Sequence, residues 1–105
     1  MQSVLEELLP LDADRRAESE VWLAFTGRAL VDPALRALRD ESYDLLRALC
    51  QRLVSELAAG LDIEVEAERL YAVVDGLLVH AVMRPDLAPP ALVRRVLGRH
   101  LDSLA

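Results

Sequence analysis

The most reactive side chains in this sequence are two histidines and one cysteine, and their spacing does not indicate catalysis. His80 and His100 lie far apart, and neither belongs to a metal-binding motif such as His-Glu-x-x-His. Cys50 follows Leu49 and precedes Leu53 by one helical turn, which predicts a small apolar core residue rather than a low-pKa thiolate. Phosphate-binding glycine loops and nucleophile elbows are also absent. We therefore predict no catalytic residue, metal site or cofactor, and no enzyme activity.

One acidic residue interrupts an otherwise apolar segment of the sequence. Asp75 interrupts the apolar segment from Leu70 to Val82, and burying it without a partner would be unfavourable. Two alternatives remain open, namely an ion pair with the last helix, within or between subunits, or exposure on the outer side of its own helix. The candidate partners are Arg94, Arg95 and Arg99.

Two glycines occur inside helical patterns. Gly76 and Gly98 are each flanked by aliphatic residues, although glycine weakens a helix by about 1 kcal/mol relative to alanine. Such a cost is compensated where another backbone must approach closely. A tight helix-helix contact is the favoured interpretation, and a neutral surface glycine is the alternative.

Aromatic residues make up only 4% of the chain. Trp22 and Phe25 are three positions apart, whereas Tyr43 and Tyr71 stand in later segments. Residues of this kind form either a filled core or a ligand pocket, which periodicity alone does not distinguish. Their composition favours the core.

The segments that carry these residues have the spacing and the end signals of helices. A short helix over Val4–Leu9 ends before Pro10, which disfavours helical geometry in the preceding residue. The next helix is capped by Asp12 or Asp14 and runs to about Leu30. Its apolar residues cover more than one face, so we expect this helix to be largely surrounded.

Three further helices follow. Asp32-Pro33 is a strong start signal for a long helix that Gly60 ends as a left-handed cap. Asp62 opens the third main helix, which Pro85 stops, and the fourth starts at Pro89-Pro90. No segment has the alternation of a strand. The prediction is an all-α bundle of four main helices plus a short N-terminal helix.

Length, charge and composition limit the possible functions. The 105 residues suit a single domain, residues 1–105, rather than two domains with separate cores. A formal charge of −6 argues against binding nucleic acid or an anionic membrane directly. The single cysteine and the start of the chain, which lacks a secretory signal, predict a cytoplasmic location. Hydrophobic residues make up 53% of the chain, which favours oligomerisation.

The order of these segments resembles the C-terminal ligand-binding and dimerisation domain of TetR/AcrR-type bacterial transcriptional regulators. The resemblance covers nearly the whole chain, including EVWLAFTGRALVDPALRALRDESYDLLRALCQRLV, GLDIEVEAERLYAVVDGLLVHAVMRPD and LAPPALVRRVLGRHLDSL. Within it, LYAVVDGLL is similar to the dimer-helix motif of that family, in which an Asp-Gly pair interrupts an aliphatic helix. That pair is Asp75 and Gly76 here.

The resemblance implies a homodimer in which the last two helices of each subunit form a four-helix bundle. It also implies a cavity for a small apolar or amphipathic effector, whose binding releases operator DNA from N-terminal helix-turn-helix heads. The pocket candidates are Trp22, Phe25, Leu46, Leu49 and Tyr71. The interface candidates are Gly76, Val79, His80, Val93, Val96, Leu97 and His100.

A complete regulator of this type begins with a basic DNA-binding head, and the sequence does not contain one. The chain therefore resembles a fragment, and we do not expect it to bind operator DNA. The alternative hypothesis is a stand-alone helical module that binds another protein and has no small-molecule ligand.

Overall fold

The computed structural model describes residues 2–57 and 60–104. Within these ranges the regular elements are all helices, so the predicted all-α fold is confirmed. The helices are α1 (Gln2–Glu6), α2 (Ala13–Ala29), α3 (Pro33–Leu57), α4 (Ile63–Met83) and α5 (Pro90–Asp102). The four main helices and the short first helix match the predicted number and order.

Aspartate side chains begin three of the main helices, as the sequence predicts. The Asp12 carboxylate accepts a hydrogen bond from the Arg15 amide at 2.8 Å, and the Asp62 carboxylate accepts one from the Val65 amide at 3.3 Å. Asp32 acts similarly at the start of α3, 3.0 Å from the amide of the second helical residue. Each carboxylate satisfies an amide that has no partner inside its helix. These helix starts are therefore fixed by local sequence.

The first helix differs from its predicted bounds. It spans Gln2–Glu6 rather than Val4–Leu9, and a tighter turn follows it. In that turn the amides of Leu8 and Leu9 donate to carbonyls three residues earlier, at 3.0 and 3.1 Å. Pro10 explains the change, because it disfavours helical geometry at the residue before it and supplies no amide of its own.

The hydrophobic core joins α1, the turn after it, the C-terminal half of α3, α4 and α5. Its aliphatic composition follows from the leucines and valines at helical spacing, whose burial is the main favourable contribution to folding. The largest fully buried side chains are Leu5, Leu9, Cys50, Val54, Leu70, Val74, Val93 and Leu97. The core thus ties the short first helix to the last helix, far away in sequence.

The second helix is less enclosed than the sequence suggests. The buried residues of α2 are Ser19 and Ala29, whereas Val21 is 69% exposed. The expectation that α2 is largely surrounded is therefore wrong. The helix packs against α3 and α4 on one side only, and nothing in the described chain covers its outer side. The presence of apolar residues on several faces of α2 therefore did not mean that every face is buried.

The N-terminal half of α3 is also open to solvent. Leu38 is 56% exposed and Leu45 is 68% exposed, although both belong to the apolar stripe of this helix. The stripe becomes buried only from Cys50 onward, where α4 packs against it. After α3, Gly60 adopts the predicted left-handed conformation with a φ of 89°.

Candidate functional site

A cavity of about 400 Å³ lies among α2, α3, α4 and the turn after α1. Its wall is mostly aliphatic and aromatic, and the apolar lining residues are Leu8, Trp22, Leu45, Leu46, Leu49, Val74 and Leu78. The polar lining residues are Glu7, Arg15, Glu18, Ser19, Ser42 and Asp75. A volume of this size and a predominantly apolar wall with few polar groups are typical of small-molecule sites.

Helical periodicity explains how the lining residues reach one place. The lining residues of α2 lie within 15–22 and those of α3 within 42–49, and each set follows the spacing i, i+3, i+4, i+7. Val74, Asp75 and Leu78 supply the same kind of face from α4. Three helices therefore each turn one stripe toward the cavity.

The four aromatic residues form a row beside this cavity. The ring centroids are 5.7 Å apart for Trp22 and Phe25, and 6.3 Å apart for Trp22 and Tyr43. The rings of Tyr43 and Tyr71 stack at 5.5 Å with an angle of 19° between their planes. The row connects α2, α3 and α4, so Trp22 both lines the cavity and packs against the aromatic cluster.

Three of the five predicted pocket residues line the cavity, namely Trp22, Leu46 and Leu49. Phe25 and Tyr71 do not line it. Phe25 lies against Trp22 at the next turn of α2, and Tyr71 is a buried core residue that is 6% exposed. For Tyr71 the structure therefore agrees with the core interpretation of the aromatic residues.

Sequence reasoning missed the polar part of the wall. Ser19 and Glu18 precede Trp22 by three and four residues, and Ser42 precedes Leu46 and Leu49 by four and seven. These helical offsets were the signal available in the sequence, because residues at such offsets share a face. The pocket candidates of the sequence analysis, in contrast, are all apolar or aromatic residues.

Asp75 faces the cavity, and burial raises the pKa of its carboxyl above the ordinary value. No side chain of the described residues forms an ion pair with it. Arg94, one of the predicted partners on α5, instead bonds Glu6 at 2.8 Å. Of the two alternatives left open by the sequence, the ion pair with α5 is therefore not formed within the described chain, because this side of α4 faces α2 and α3.

The other charges at the cavity are partly neutralised. The Arg15 guanidinium lies 2.6 Å from a Glu7 carboxylate oxygen and 3.4 Å from an Asp12 carboxylate oxygen. Glu18 lies on the same stripe of α2. The guanidinium thus pairs with two carboxylates, while Asp75 lines the cavity from α4.

Comparison with known proteins assigns the chain to a family. Residues 1–105 match the profile of the family described as BetI-type transcriptional repressor, C-terminal. The chain belongs to this family. The resemblance to TetR-type regulators predicted from the sequence is therefore confirmed.

Two relatives agree with this assignment. The BetI-type domain is 33% identical over 107 residues to the HTH-type transcriptional regulator PksA of Bacillus subtilis (strain 168), covering 96% of this chain and 51% of PksA. It also resembles the crystal structure of a transcriptional regulator from Rhodococcus sp. Rha1. That likeness has a TM-score of 0.88 at 29% identity, covering 98% of this chain and 65% of the other. The chain thus spans about half the length of the curated relative, and both relatives are named as transcriptional regulators.

Some predicted interface residues belong to the core of the BetI-type domain itself. Val93 is 1% exposed and Leu97 is 0% exposed, so neither offers surface to a second copy. His100 is half-buried, and its Nε2 atom has no hydrogen-bond partner among the described residues. Burial lowers the pKa of His100, and the positive charge of Arg69 lowers it further.

The remaining predicted interface residues lie on the outer side. His80 is exposed, Gly76 and Val79 are half-buried, and Val96 is 41% exposed. A Cβ atom added at Gly76 would meet no other atom within 4 Å, so its backbone is accessible.

Gly98, the second glycine predicted to lie in a tight helix contact, faces a residue of the same chain. A Cβ atom added there would lie 3.1 Å from the side-chain oxygen of Gln2. Gly98 therefore leaves room for the Gln2 side chain of α1 against α5.

One arginine joins the cavity wall to the end of α4. The Arg16 guanidinium donates to the carbonyl oxygens of Ala81 at 3.0 Å and Val82 at 2.9 Å, and it lies 3.1 Å from a Glu20 carboxylate oxygen. These carbonyls belong to the last turn of α4, where helix carbonyls lack partners. Arg16 thus fixes α2 against α4.

The remaining candidates for chemistry are explained by packing. Burial raises the pKa of the Cys50 thiol to about 11, which agrees with the predicted inert core residue. Among residues 2–57 and 60–104 no group of His, Cys, Asp and Glu is arranged to hold a metal ion. In the same ranges no helix combines the length and apolarity needed to cross a bilayer.

Proposed function

We propose that this domain binds a small apolar or amphipathic effector in the cavity among α2, α3 and α4 and dimerises through α4 and α5. The observation that carries the proposal is the 400 Å³ cavity with its mostly apolar wall. In the whole regulator, effector binding changes the spacing of two DNA-binding heads outside this chain and thereby relieves repression. Residues 1–105 act as one domain of a cytoplasmic repressor.

The geometry of α4 supports coupling between effector and dimer. Asp75 faces the cavity, while the adjacent Gly76 is accessible on the outer side with Val79 and His80. A ligand that moves α4 from the cavity side therefore moves the surface proposed for the second subunit. Arg16 transmits displacement of α2 to the same helix through its two hydrogen bonds.

The proposed interface is narrower than the set inferred from the sequence. Val93 and Leu97 are omitted because the core already buries them. The outward residues Gly76, Val79, His80 and Val96 remain, and so does His100, which is half-buried and lies outside the core cluster. Exposed Met83, at 65%, extends this surface toward the end of α4. Apolar area exposed along one helix face is typical of protein interfaces.

A thermal-shift screen tests effector binding. Apolar and cationic small molecules are titrated against wild type, and an effector raises the melting temperature with increasing concentration because it binds the folded state. Ser42→Phe is expected to abolish this shift, since the added ring fills the cavity. Ser55→Phe is the matched control, because Ser55 lies exposed on the same helix and does not line the cavity.

The screen can also contradict the proposal. A ligand that stabilises wild type and Ser42→Phe equally does not bind in this cavity. If no compound shifts the melting temperature and a protein partner binds the isolated domain instead, the domain is an interaction module rather than an effector sensor.

A further inference from the structure

We propose that His100 makes the packing of α5 sensitive to pH: the neutral imidazole lets the C-terminal half of α5 pack against α4, and protonation of the imidazole displaces that segment from the core. The starting observation is that the Nε2 atom of His100 is buried and has no hydrogen-bond partner among the described residues. This inference goes beyond the proposed function, because it requires neither an effector nor a second subunit.

The neighbours of His100 on α5 hold its ring against the core. Leu97 is 0% exposed and Leu101 is 7% exposed, and both side chains belong to the core cluster. Leu97 precedes His100 by three residues, a spacing that places the two side chains on one side of the helix. The Nε2 atom therefore cannot reach water unless this part of α5 moves.

The two protonation states of His100 differ in what they bury. A neutral imidazole with its proton on Nδ1 leaves only a lone pair at Nε2, whereas the imidazolium carries an N–H group on both nitrogens. Protonation of the packed ring would therefore bury a charged donor without an acceptor, which costs more free energy than a missing bond to a neutral acceptor. Burial accordingly lowers the pKa of His100.

The charged groups that α4 brings near His100 are Arg69 and Glu66. Arg69 opposes a positive charge on the ring. Glu66 favours one, but both of its carboxylate oxygens already lie 3.1 Å from Nη1 of Arg69. The Glu66 side chain is 14% exposed, so it lies at the edge of the core. An imidazolium that leaves the core can therefore share Glu66 with Arg69, which stabilises the displaced position.

The other charged groups on the helices around His100 do not hold a protonated ring in place. Glu6 lies on α1, which also packs against α5, and Arg94 binds its carboxylate at 2.8 Å. On α5 itself, Asp102 is two positions from His100, a spacing that does not bring two side chains face to face. The adjacent Arg99 has the same charge as an imidazolium.

The direction of the pH effect follows from the lowered pKa of His100. The ordinary value is 6.5, so the unfolded chain binds this proton more readily than the folded chain does. His100 thus contributes stability that is fully present above pH 6.5 and is lost as the pH falls through the folded pKa. Asp75 acts in the opposite direction, because its pKa is raised. A variant of His100 is therefore needed to isolate the effect.

Amide hydrogen exchange of residues 97–104 measures the displacement. In wild type, the protection factors of these amides should fall by up to about tenfold per pH unit below pH 6.5, because opening is coupled to the uptake of one proton. His100→Gln should lose this pH dependence, since glutamine is polar and does not titrate. His80→Gln is the matched control, because it removes the exposed histidine of α4, and it should behave as wild type.

A second measurement keeps the proposal testable if His100→Gln folds poorly. The chain has two histidines, so His80→Gln retains His100 alone, and NMR assigns its ring resonances without ambiguity. These resonances should titrate below pH 6.5, in the same range in which residues 97–104 lose protection.

Three results would overturn the inference. They are a His100 ring that titrates at or above pH 6.5, wild-type protection of residues 97–104 that does not depend on pH, and a pH dependence that persists in His100→Gln. A loss of protection that varies with protein concentration also counts against it, because that result would place the acid effect at a contact between subunits. The thermal-shift screen tests effector binding separately.

Discussion

At the scale of single residues, adjacent positions on α4 have opposite surroundings. Asp75 faces the cavity among three helices, whereas Gly76 is open on the outer side. The helical rotation between neighbours is sufficient for this separation. Asp75 and Gly76 form one motif in the sequence, but one lies at the cavity and the other on the outer side of α4. A separate substitution is therefore needed to test each residue.

Asp75 should destabilise the unliganded fold at neutral pH. Its pKa is raised in the folded state, so the folded chain binds this proton more readily than the unfolded chain does. This group therefore favours folding less as the pH rises through its raised pKa. Asp75→Asn should increase the free energy of unfolding at neutral pH, and the increase should shrink in acid.

Urea denaturation of Asp75→Asn and wild type at a series of pH values measures that difference. Asp102→Asn provides the baseline, because it removes an exposed carboxylate. A difference between Asp75→Asn and wild type that stays constant with pH would mean that Asp75 titrates as it does in the unfolded chain.

Cys50 should be unreactive in the folded protein. Its side chain is 0% exposed, and a thiol pKa of about 11 instead of 9.0 lowers the thiolate fraction about a hundredfold. The reagent DTNB should therefore label the native chain slowly at pH 8 and label it rapidly in guanidinium chloride. Fast labelling under native conditions would show that the α3–α4 contact opens readily.

At the scale of elements, α2 is held mainly by contacts at its inner side. Its outer residues are exposed, and its links to the rest include the aromatic row through Trp22 and the hydrogen bonds of Arg15 and Arg16. A helix with so little buried surface is easier to displace than α4, which contributes many of the core residues. The cavity wall is therefore built from the loosely held α2, the part of α3 that precedes its buried segment, and the firmly packed α4.

Arg16→Ala should loosen this arrangement. Removing the guanidinium leaves the Ala81 and Val82 carbonyls without their donors, at a cost of about 1–3 kcal/mol for partly buried groups. Chemical denaturation should report the loss, and amide hydrogen exchange should increase in α2. Arg28→Ala is the control, because Arg28 is largely exposed and lies 4.0 Å from Asp32. Equal losses in both variants would contradict the role of Arg16.

At the scale of the whole molecule, the single chain leaves apolar surface on two sides. One side is the outer face of α4 and α5, and the other is formed by α2 and the N-terminal half of α3, where Val21 and Leu45 are exposed. The core is nevertheless continuous and includes residues from α1 to the end of α5. The described residues thus share one core, while the exposed apolar residues suit the association proposed above.

Sedimentation equilibrium should give a dimer of twice the 11.7 kDa chain mass. Gly76→Leu should shift the mass toward the monomer, because the added side chain separates the helices that meet there. The monomer itself accepts the change, since the site is open and leucine favours helix by about 1 kcal/mol over glycine. An unchanged dimer would remove Gly76 from the interface.

Gly27→Leu is the matched control for this experiment. Gly27 lies on α2, and an added Cβ atom there also meets nothing within 4 Å. The substitution introduces the same side chain on a helix that the proposal leaves outside the dimer, so the mass should remain that of wild type. Dissociation caused by both variants would indicate a general loss of folding rather than a local clash.

The sequence by itself determined the helices and most of their ends. Asp12 and Asp62 cap helices through hydrogen bonds to amides three residues away, so no distant part of the chain is needed to place these starts. The family was also recognisable, because the order of segments around the Asp75-Gly76 pair spans nearly the whole chain.

Only the tertiary structure decided what covers each helix face. Tyr71 was a pocket candidate and Leu97 an interface candidate, and the helical spacing of each residue also fits a core position. In the structure both side chains are buried in the core. Asp75 was recognised as unusual, yet its surroundings depended on how α2 and α3 pack against α4. The physical reason is that periodicity states which residues share a face, whereas burial depends on which distant element packs against that face.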